Sequence, residues 1–439
     1  MKKVFLDALG CPKALVDAER MAYFLGTSSF EFVSDAEEAD VIIVNTCGFI
    51  EDAKQESVDT ILQYAQLKQK KPSLEIVATG CLVERYKGEL LSLVPEIDHA
   101  MGVKDPSLIL QTLSEREMVD REEYHDTQWI TERNLQFSGV GYAYLKVSEG
   151  CNRQCGFCVI PSIRGMQRSR SIEDILVEAR FLHEQGIEEL ILIAEDTMSY
   201  GLDLYGERRL SLLLSELVKV GFTWLRVMYL YPEDDVFDVV RMMREYPQIV
   251  PYVDIPLQHA SSFVLQRMRR GGSSEEFLRY IAGMREILPD ISIRSTFVIG
   301  YPGETEEDVE VLARFLKDAE LDRVGFFAYS DEEGSYAFSL DGKLSKREKK
   351  ARIAYLASLQ REVSRKRLGR FVGREVVCID DGERVELRGK SYKLFRTPYD
   401  APEIDGKVYV PLDEESGELF CRVKIEGVFQ DYDLKGVVV

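Results

Sequence analysis

Short apolar runs alternate with helix-length segments along most of this chain, and that alternation confines it to parallel sheets carrying helices on their faces. Up to about residue 105, the runs at 4–9, 41–44 and 76–79 predict buried parallel strands, with helices over 14–25 and 56–69 between them. The pattern returns at 143–147, 190–194, 225–229, 252–255, 292–299 and 324–329. Six strands separated by helix-length segments predict a parallel (β/α) barrel or an open, partial version of one. One helix shows its ends in sequence: Ser171 is placed as N-cap, Glu173 and Asp174 suit the positive end of the dipole, and Gly186 terminates it. Residues 113–136 are charged and weakly periodic, which predicts a connector. From 371 onward the period changes to short alternating strands at 375–378, 407–410 and 420–425, with turns at Asp381-Gly382 and Asp405-Gly406. That tail predicts a small antiparallel β-barrel. The fold class is therefore α/β with three domains, an open α/β domain at 1–116, a partial barrel at 137–368 and a small β-barrel at 371–439; the chain of 439 residues has room for three cores.

Charge and polarity narrow the function. Asp7 interrupts the first apolar run before it reaches signal-peptide length, and no stretch approaches the roughly eighteen apolar residues of a membrane span. A cytoplasmic protein with no membrane partner is expected, and in a reducing compartment the eight cysteines read as metal ligands, catalytic groups or core residues. The net charge of −20 disfavours generic nucleic-acid binding and suits a basic partner. Residues 344–370 run against that trend with a local charge of +8; a solvated helix lying against acidic neighbours is the ordinary outcome of such a run.

The chemistry concentrates in cysteines. Cys151, Cys155 and Cys158 form a C-x3-C-x2-C run after the first barrel strand, a spacing that lets three thiolates each hold one iron of a four-iron, four-sulfur cluster and leaves the fourth iron open to a small molecule. The carboxyl end of a parallel barrel strand is also where substrate meets such a group. Zinc is the alternative metal; it needs a fourth ligand, and none of His99, His125, His183 or His259 is near in sequence. Cys11, Cys47 and Cys81 each follow a predicted strand of the first sheet, at Leu9-Gly10-Cys11, Asn45-Thr46-Cys47 and Thr79-Gly80-Cys81. Parallel strands end on one edge, so these three converge, either as buried strand-end thiols or as the ligands of a second cluster with an open iron. Cys378 and Cys421 lie in strand-like runs and read as barrel core.

The C-x3-C-x2-C run resembles the radical S-adenosylmethionine superfamily. The resemblance implies that the open iron chelates S-adenosyl-L-methionine, whose reductive cleavage gives a deoxyadenosyl radical, and that an electron donor is required. Phe157 matches the aromatic position usual in that loop; Glu195 and Asp196, after the second strand, and Gly300, in Val298-Ile299-Gly300-Tyr301-Pro302-Gly303-Glu304, stand at cofactor-contacting positions, and Arg294 in the fifth strand joins them as a candidate. With two three-cysteine sets and the small terminal barrel, the whole chain resembles the methylthiotransferase family, which combines an auxiliary-cluster domain, a radical S-adenosylmethionine core and a TRAM domain, and which uses two 4Fe-4S clusters to replace a C–H hydrogen with a methylthio group.

Within that family the chain is most similar to the RimO-type branch, whose substrate is an aspartate of small-subunit ribosomal protein S12. The marks are residues 8–13 (ALGCPK), Glu195-Asp196-Thr197 running into 200–205, Arg168-Ser169-Arg170, residues 329–334 (YSDEEG) and residues 401–406 (APEIDG). Glu195 departs from the Gln expected there. The sister branch, MiaB-like, modifies an adenosine of transfer RNA, and a non-catalytic iron–sulfur carrier or sensor is the reading from another class. Two three-cysteine sets argue against a carrier, which closes its clusters with four ligands. Residues 371–439 carry a net charge of −5, which suits a basic ribosomal protein better than RNA and disfavours transfer RNA as partner.

Overall fold

Val41–Thr46 is buried at every position, and this continuous run forms the centre of the first sheet. In the computed structural model, which describes residues 1–103, 105–114, 131–412 and 417–439, five strands pair in parallel in the order β2-β1-β3-β4-β5. They are β1 (Lys2–Ala8), β2 (Phe30–Phe32), β3 (Val41–Thr46), β4 (Glu75–Gly80) and β5 (His99–Met101), joined through α1 (Pro12–Gly26), α2 (Glu51–Lys70) and α3 (Cys81–Leu93) and followed by α4 (Ile109–Ser114). Apolar side chains on both faces make two cores, one around Ile42, Val44 and Ile76 and the other around Val4, Leu6 and Val41. The strands β2 and β5 have three residues each, too short to carry a period in sequence. The connector expected at 113–136 lies mostly outside the described residues.

The middle of the chain places β6 (Tyr142–Lys146), β9 (Glu189–Ile193) and β10 (Trp224–Val227) in one three-stranded parallel sheet and β11 (Tyr252–Asp254), β12 (Ser292–Ile299) and β13 (Arg323–Ala328) in another. The bridge from Leu225 to Ile249 and the bond from Leu230 N to Asp254 O join them, so the six strands curve as the predicted partial barrel. A short antiparallel pair, β7 (Ser148–Glu149) with β8 (Arg168–Ser169), follows the first strand of this region. The helices are α5 (Ile160–Arg164), α6 (Ile172–Glu184), α7 (Leu202–Tyr205), α8 (Leu210–Leu217), α9 (Val236–Glu245), α10 (Ser262–Arg267), α11 (Ser274–Ile287), α12 (Glu306–Ala319) and α13 (Lys346–Leu368). Ser171 caps α6 by accepting from Asp174 N, and Gly186 follows its end at φ +85°, as the residue types required. The basic run is α13. Arg352 pairs with Glu304, Lys366 with Glu320, and Arg367 and Arg370 with Asp322, so part of its charge is spent on acidic neighbours.

The C-terminal strands β14 (Glu375–Leu387), β15 (Lys390–Arg396), β16 (Val408–Pro411), β17 (Phe420–Phe429) and β18 (Asp433–Val438) close into a barrel in the order β14-β15-β16-β18-β17. Two expectations are corrected here. Asp381-Gly382 is a bulge inside β14, where the register slips between Asp380 and Glu383, and the hairpin turns instead at Arg388-Gly389, both at positive φ. The barrel is also not wholly antiparallel: β17 pairs with β14, so β18 returns beside β16 in parallel. Cys378 and Cys421 lie opposite each other in the pairing of β14 with β17 and are buried in the barrel core.

The three parts share one apolar cluster, in which Val16 of α1 meets Tyr144 and Trp224 of the partial barrel and Ile379 and Ala401 of the small one. A buried carboxylate reinforces the second joint: Glu189 takes Arg226 at 2.8 Å and Arg396 at 2.6 Å, all three fully inaccessible to solvent.

Candidate active site

Cys11, Cys47 and Cys81 follow β1, β3 and β4, and glycines set how closely they approach. Gly10 and Gly80 hold φ of +97° and +96°, conformations that glycine adopts without strain. A Cβ on Gly10 would stand 2.9 Å from Cys47 Cβ, and one on Gly48 would stand 2.6 Å from Leu82 N, so the three loops pack backbone against backbone. Ser57 Oγ accepts from Cys47 N at 3.0 Å and donates to Cys47 O at 3.1 Å, fixing the middle loop from α2. Gly48→Val should therefore push the Cys47 and Cys81 loops apart, destabilise the first domain by about 1–3 kcal/mol and lower its bound iron. Gly88→Ala on the exposed side of α3, where nothing lies within 4 Å of the new Cβ, should be neutral or stabilising by up to about 1 kcal/mol. Urea midpoints and iron content of the two variants check the pair.

The second cysteine loop is anchored on both flanks. Gly156 N donates to Met268 O and Gly156 O accepts from Ala337 N, each at 2.7 Å, while Cys151 N donates to Gly165 O. Three N–H groups point at the sulfurs: Arg153 N at Cys151 and Ile160 N at Cys158, both 3.4 Å, and Arg270 Nη1 at Cys155, 3.2 Å. Phe157 packs against the cluster of Val264, Met268, Tyr301 and Tyr329. Gly300, at φ +79°, donates its N–H to Glu304, whose carboxylate is held in turn by Arg352 and faces His259. Burial pushes the thiols up, Cys151 and Cys81 to about 11 and Cys158 to about 12, with Cys47 raised for the same reason. An occupant that binds thiolate must displace those protons, and the aimed N–H groups compensate the sulfur charge that results.

The two cysteine sets face one another. Val159 and Ile163, just past the second loop, pack on Cys81, and Arg164 reaches across to Cys81 Sγ at 3.6 Å. Arg164 also meets Glu149 at 2.5 Å and Asp17 at 3.4 Å, and Lys146 bridges the same two acids. Glu195 sits in this gap with neither carboxylate oxygen hydrogen-bonded. Burial, then the charge of Glu149, raises its carboxyl to about 7 against the opposing pull of Lys13 and Arg164. Asp196 turns to the second loop, taking Arg153 Nε at 2.7 Å with one oxygen unpartnered. Arg294 is placed otherwise. Its guanidinium faces Asp254 at 3.1 Å and Asp405 of the small barrel at 3.3 Å, which makes it a joint between domains.

Lys13, Arg153, Arg164 and Arg270 were not among the expected site residues. Lys13 follows Cys11-Pro12 directly and could have been read from that adjacency; the arginines gain their positions only through tertiary packing. Among the described residues no three Cys, His, Asp or Glu side chains gather tightly enough for a single metal ion, in either cysteine set. The donor set of three thiols on each side, without a histidine or carboxylate completing either, fits a cluster that keeps one iron open.

Family models match in three successive segments: "uncharacterized protein family UPF0004" over residues 3–102, the radical SAM superfamily over 145–316 and the TRAM domain over 372–439. Among solved structures, the radical S-adenosylmethionine methyltransferase TsrM from Kitasatospora setae superposes with a TM-score of 0.52 at 16% identity, covering 74% of this chain and 73% of that one. The cobalamin-dependent radical enzyme OxsB gives 0.52 at 13% identity over 77% of this chain and 54% of its own. These likenesses concern the fold. Curated relatives named ribosomal protein uS12 methylthiotransferase RimO are far more similar: 41% identical in Sorangium cellulosum over 99% of this chain and 90% of that one, 42% in Clostridioides difficile over 100% and 99%, and 41% in a Thermotoga species over 99% and 100%. At such identity from end to end, the chain belongs to the RimO family of ribosomal protein uS12 methylthiotransferases.

Proposed function

We propose that this protein replaces a hydrogen on the β-carbon of an aspartate of ribosomal protein S12 with a methylthio group. The observation that carries the reading is the approach of the two three-thiol loops, where Val159, Ile163 and Arg164, just past the second loop, pack on Cys81 of the first set. Cys151, Cys155 and Cys158 hold one 4Fe-4S cluster, and Cys11, Cys47 and Cys81 hold the other. When bound, the first cluster with S-adenosyl-L-methionine supplies the deoxyadenosyl radical and the second supplies the sulfur. The chain's own residues do the rest. Arg270 and the N–H groups of Arg153 and Ile160 compensate charge on the second loop, Phe157 packs that loop against Tyr301, Gly300 opens the turn of the cofactor segment with its N–H on Glu304, and Asp196 accepts from Arg153. The buried ion pairs of Arg164 and Lys146 with Glu149 brace the segment between the two cysteine sets.

The functional units are 1–116, 137–368 and 371–439, with an electron donor as transient partner in the cytoplasm. None of the described helices is long and apolar enough to cross a membrane. The acidic terminal barrel and the partial neutralisation of α13 by Glu304, Glu320 and Asp322 favour a basic protein over transfer RNA as substrate. The test is an anaerobic assay of the reconstituted protein with S-adenosylmethionine and reductant, offering small ribosomal subunits and bulk transfer RNA side by side. Mass spectrometry should find the methylthio gain on an S12 aspartate. A gain on transfer RNA adenosine would overturn the substrate, and no cleavage of S-adenosylmethionine would leave an iron–sulfur carrier.

A further inference from the structure

Lys13 extends from the start of α1 into the mouth of the partial barrel. It is 8% exposed, its Nζ donates only a long bond of 3.4 Å to Ala194 O, and it lies 4.2 Å from the centre of the Tyr229 ring. Tyr229 itself holds φ at 61°, a conformation that L residues other than Asn and Asp rarely take, and this turns its ring across the mouth under the ammonium. Every other buried cation around the gap is committed. Arg164 and Lys146 each face Asp17 and Glu149, Arg153 faces Asp196 and Glu233, Arg294 faces Asp254 and Asp405, and Arg270 is given to Cys155 Sγ and Pro256 O. Among the described residues Lys13 and Arg270 alone in this set have no ion pair; Arg270 is given to a sulfur and a carbonyl, whereas Lys13 feels the charge of Glu195 across the gap without a hydrogen bond to it. Its ammonium has three donors, at most one of which is used.

The gap dictates what such a cation meets. A reacting carbon has to lie between the two cysteine sets, within reach of both, and in an aspartate the carboxylate is bonded directly to that β-carbon. A carboxylate entering a buried space without a counter-charge carries a large desolvation cost. We propose that Lys13 is the specificity residue that reads the carboxylate of the substrate aspartate, with Tyr229 positioning its ammonium. The inference rests on the functional reading above and adds to it which group selects the acid side chain.

The test compares S12 with a variant of S12 carrying asparagine at the modified position, both offered to reconstituted full-length enzyme. The wild type should favour aspartate by about 30-fold in kcat/KM, in line with a hydrogen-bonded ion pair, and by a comparable factor in Kd measured by fluorescence anisotropy. Lys13→Gln should bring both ratios to within about threefold of one, whereas Lys13→Arg keeps them near wild type. Because each ratio is taken on a single preparation, a loss of folded or iron-loaded protein cancels. A Lys13→Gln ratio equal to wild type would overturn the proposal, and so would a collapse with Lys13→Arg as complete as with Lys13→Gln. Failure of the wild type to modify S12 at all would overturn the functional reading instead.

Discussion

Cys47→Ala should abolish methylthio transfer while leaving cleavage of S-adenosylmethionine, and Cys155→Ala should abolish both. On the proposed two-cluster reading each replacement removes one of three ligands, so bound iron should fall by about four atoms per chain in either case. The asymmetry between the products follows from where the loops stand. Cys155 lies in the loop braced by Met268, Ala337 and Arg270 at the barrel mouth, and Cys47 lies on the far side of the gap, held by Ser57. Iron analysis, chromatography of deoxyadenosine and mass spectrometry of S12 separate the two outcomes. A Cys47→Ala protein with full iron and full transfer would remove the two-cluster reading. The double variant Cys378→Ala, Cys421→Ala is the internal control: both thiols lie in the small barrel's core, so bound iron should be unchanged.

The layout of strands was readable because continuous burial leaves a continuous apolar run, as in Val41–Thr46, and because strand ends in a parallel sheet share an edge. That edge rule sufficed to bring Cys11, Cys47 and Cys81 together from positions more than thirty residues apart. Turn chemistry misled at Asp381-Gly382, since glycine at positive φ serves a bulge as well as it serves a hairpin. The charged joints were not readable. Arg294 has the appearance of a ligand-binding arginine inside a barrel strand, yet the structure gives it to Asp254 and Asp405, and nothing local to 292–299 specifies a partner in the last domain. The segments that mark the family turn out to include such joints: Glu332 of 329–334 takes Lys54 and Arg85 from the first domain, and Asp405 of 401–406 takes Tyr252 OH from the barrel. Those segments fix how the domains meet, and the meeting of the domains sets the gap between the cysteines.

Glu178 is the charge that ties α1 of the first domain to α6 of the partial barrel, and its removal should be costly. This fully buried carboxylate of α6 takes Arg170 at 2.5 Å, Arg20 of α1 at 3.1 Å and Arg133 at 3.1 Å. Burial alone would raise its carboxyl, but Arg170, Arg20 and Arg133 outweigh burial and hold it down at about 2. Glu178→Ala leaves guanidinium groups facing one another without that counter-charge, a change expected to cost about 3–5 kcal/mol at neutral pH. The sign of the pH dependence follows from the depressed carboxyl. Its contribution, about 3 kcal/mol by linkage, is complete above the unfolded carboxylate range and is lost as pH falls from about 5 toward 2. Urea midpoints of wild type and variant should thus differ by a constant amount from pH 6 to 8 and converge on acidification; a difference below about 1 kcal/mol at pH 7 would show that Glu19, 3.0 Å from Arg133, and Asp174, 2.6 Å from Arg170, suffice for the arginines. Because Arg20 belongs to the helix that begins just after Cys11, loosening this joint shifts one cysteine set relative to the other. On the proposed reading methylthio transfer needs both sets in register and S-adenosylmethionine cleavage needs one, so in the folded variant transfer should fall further than cleavage.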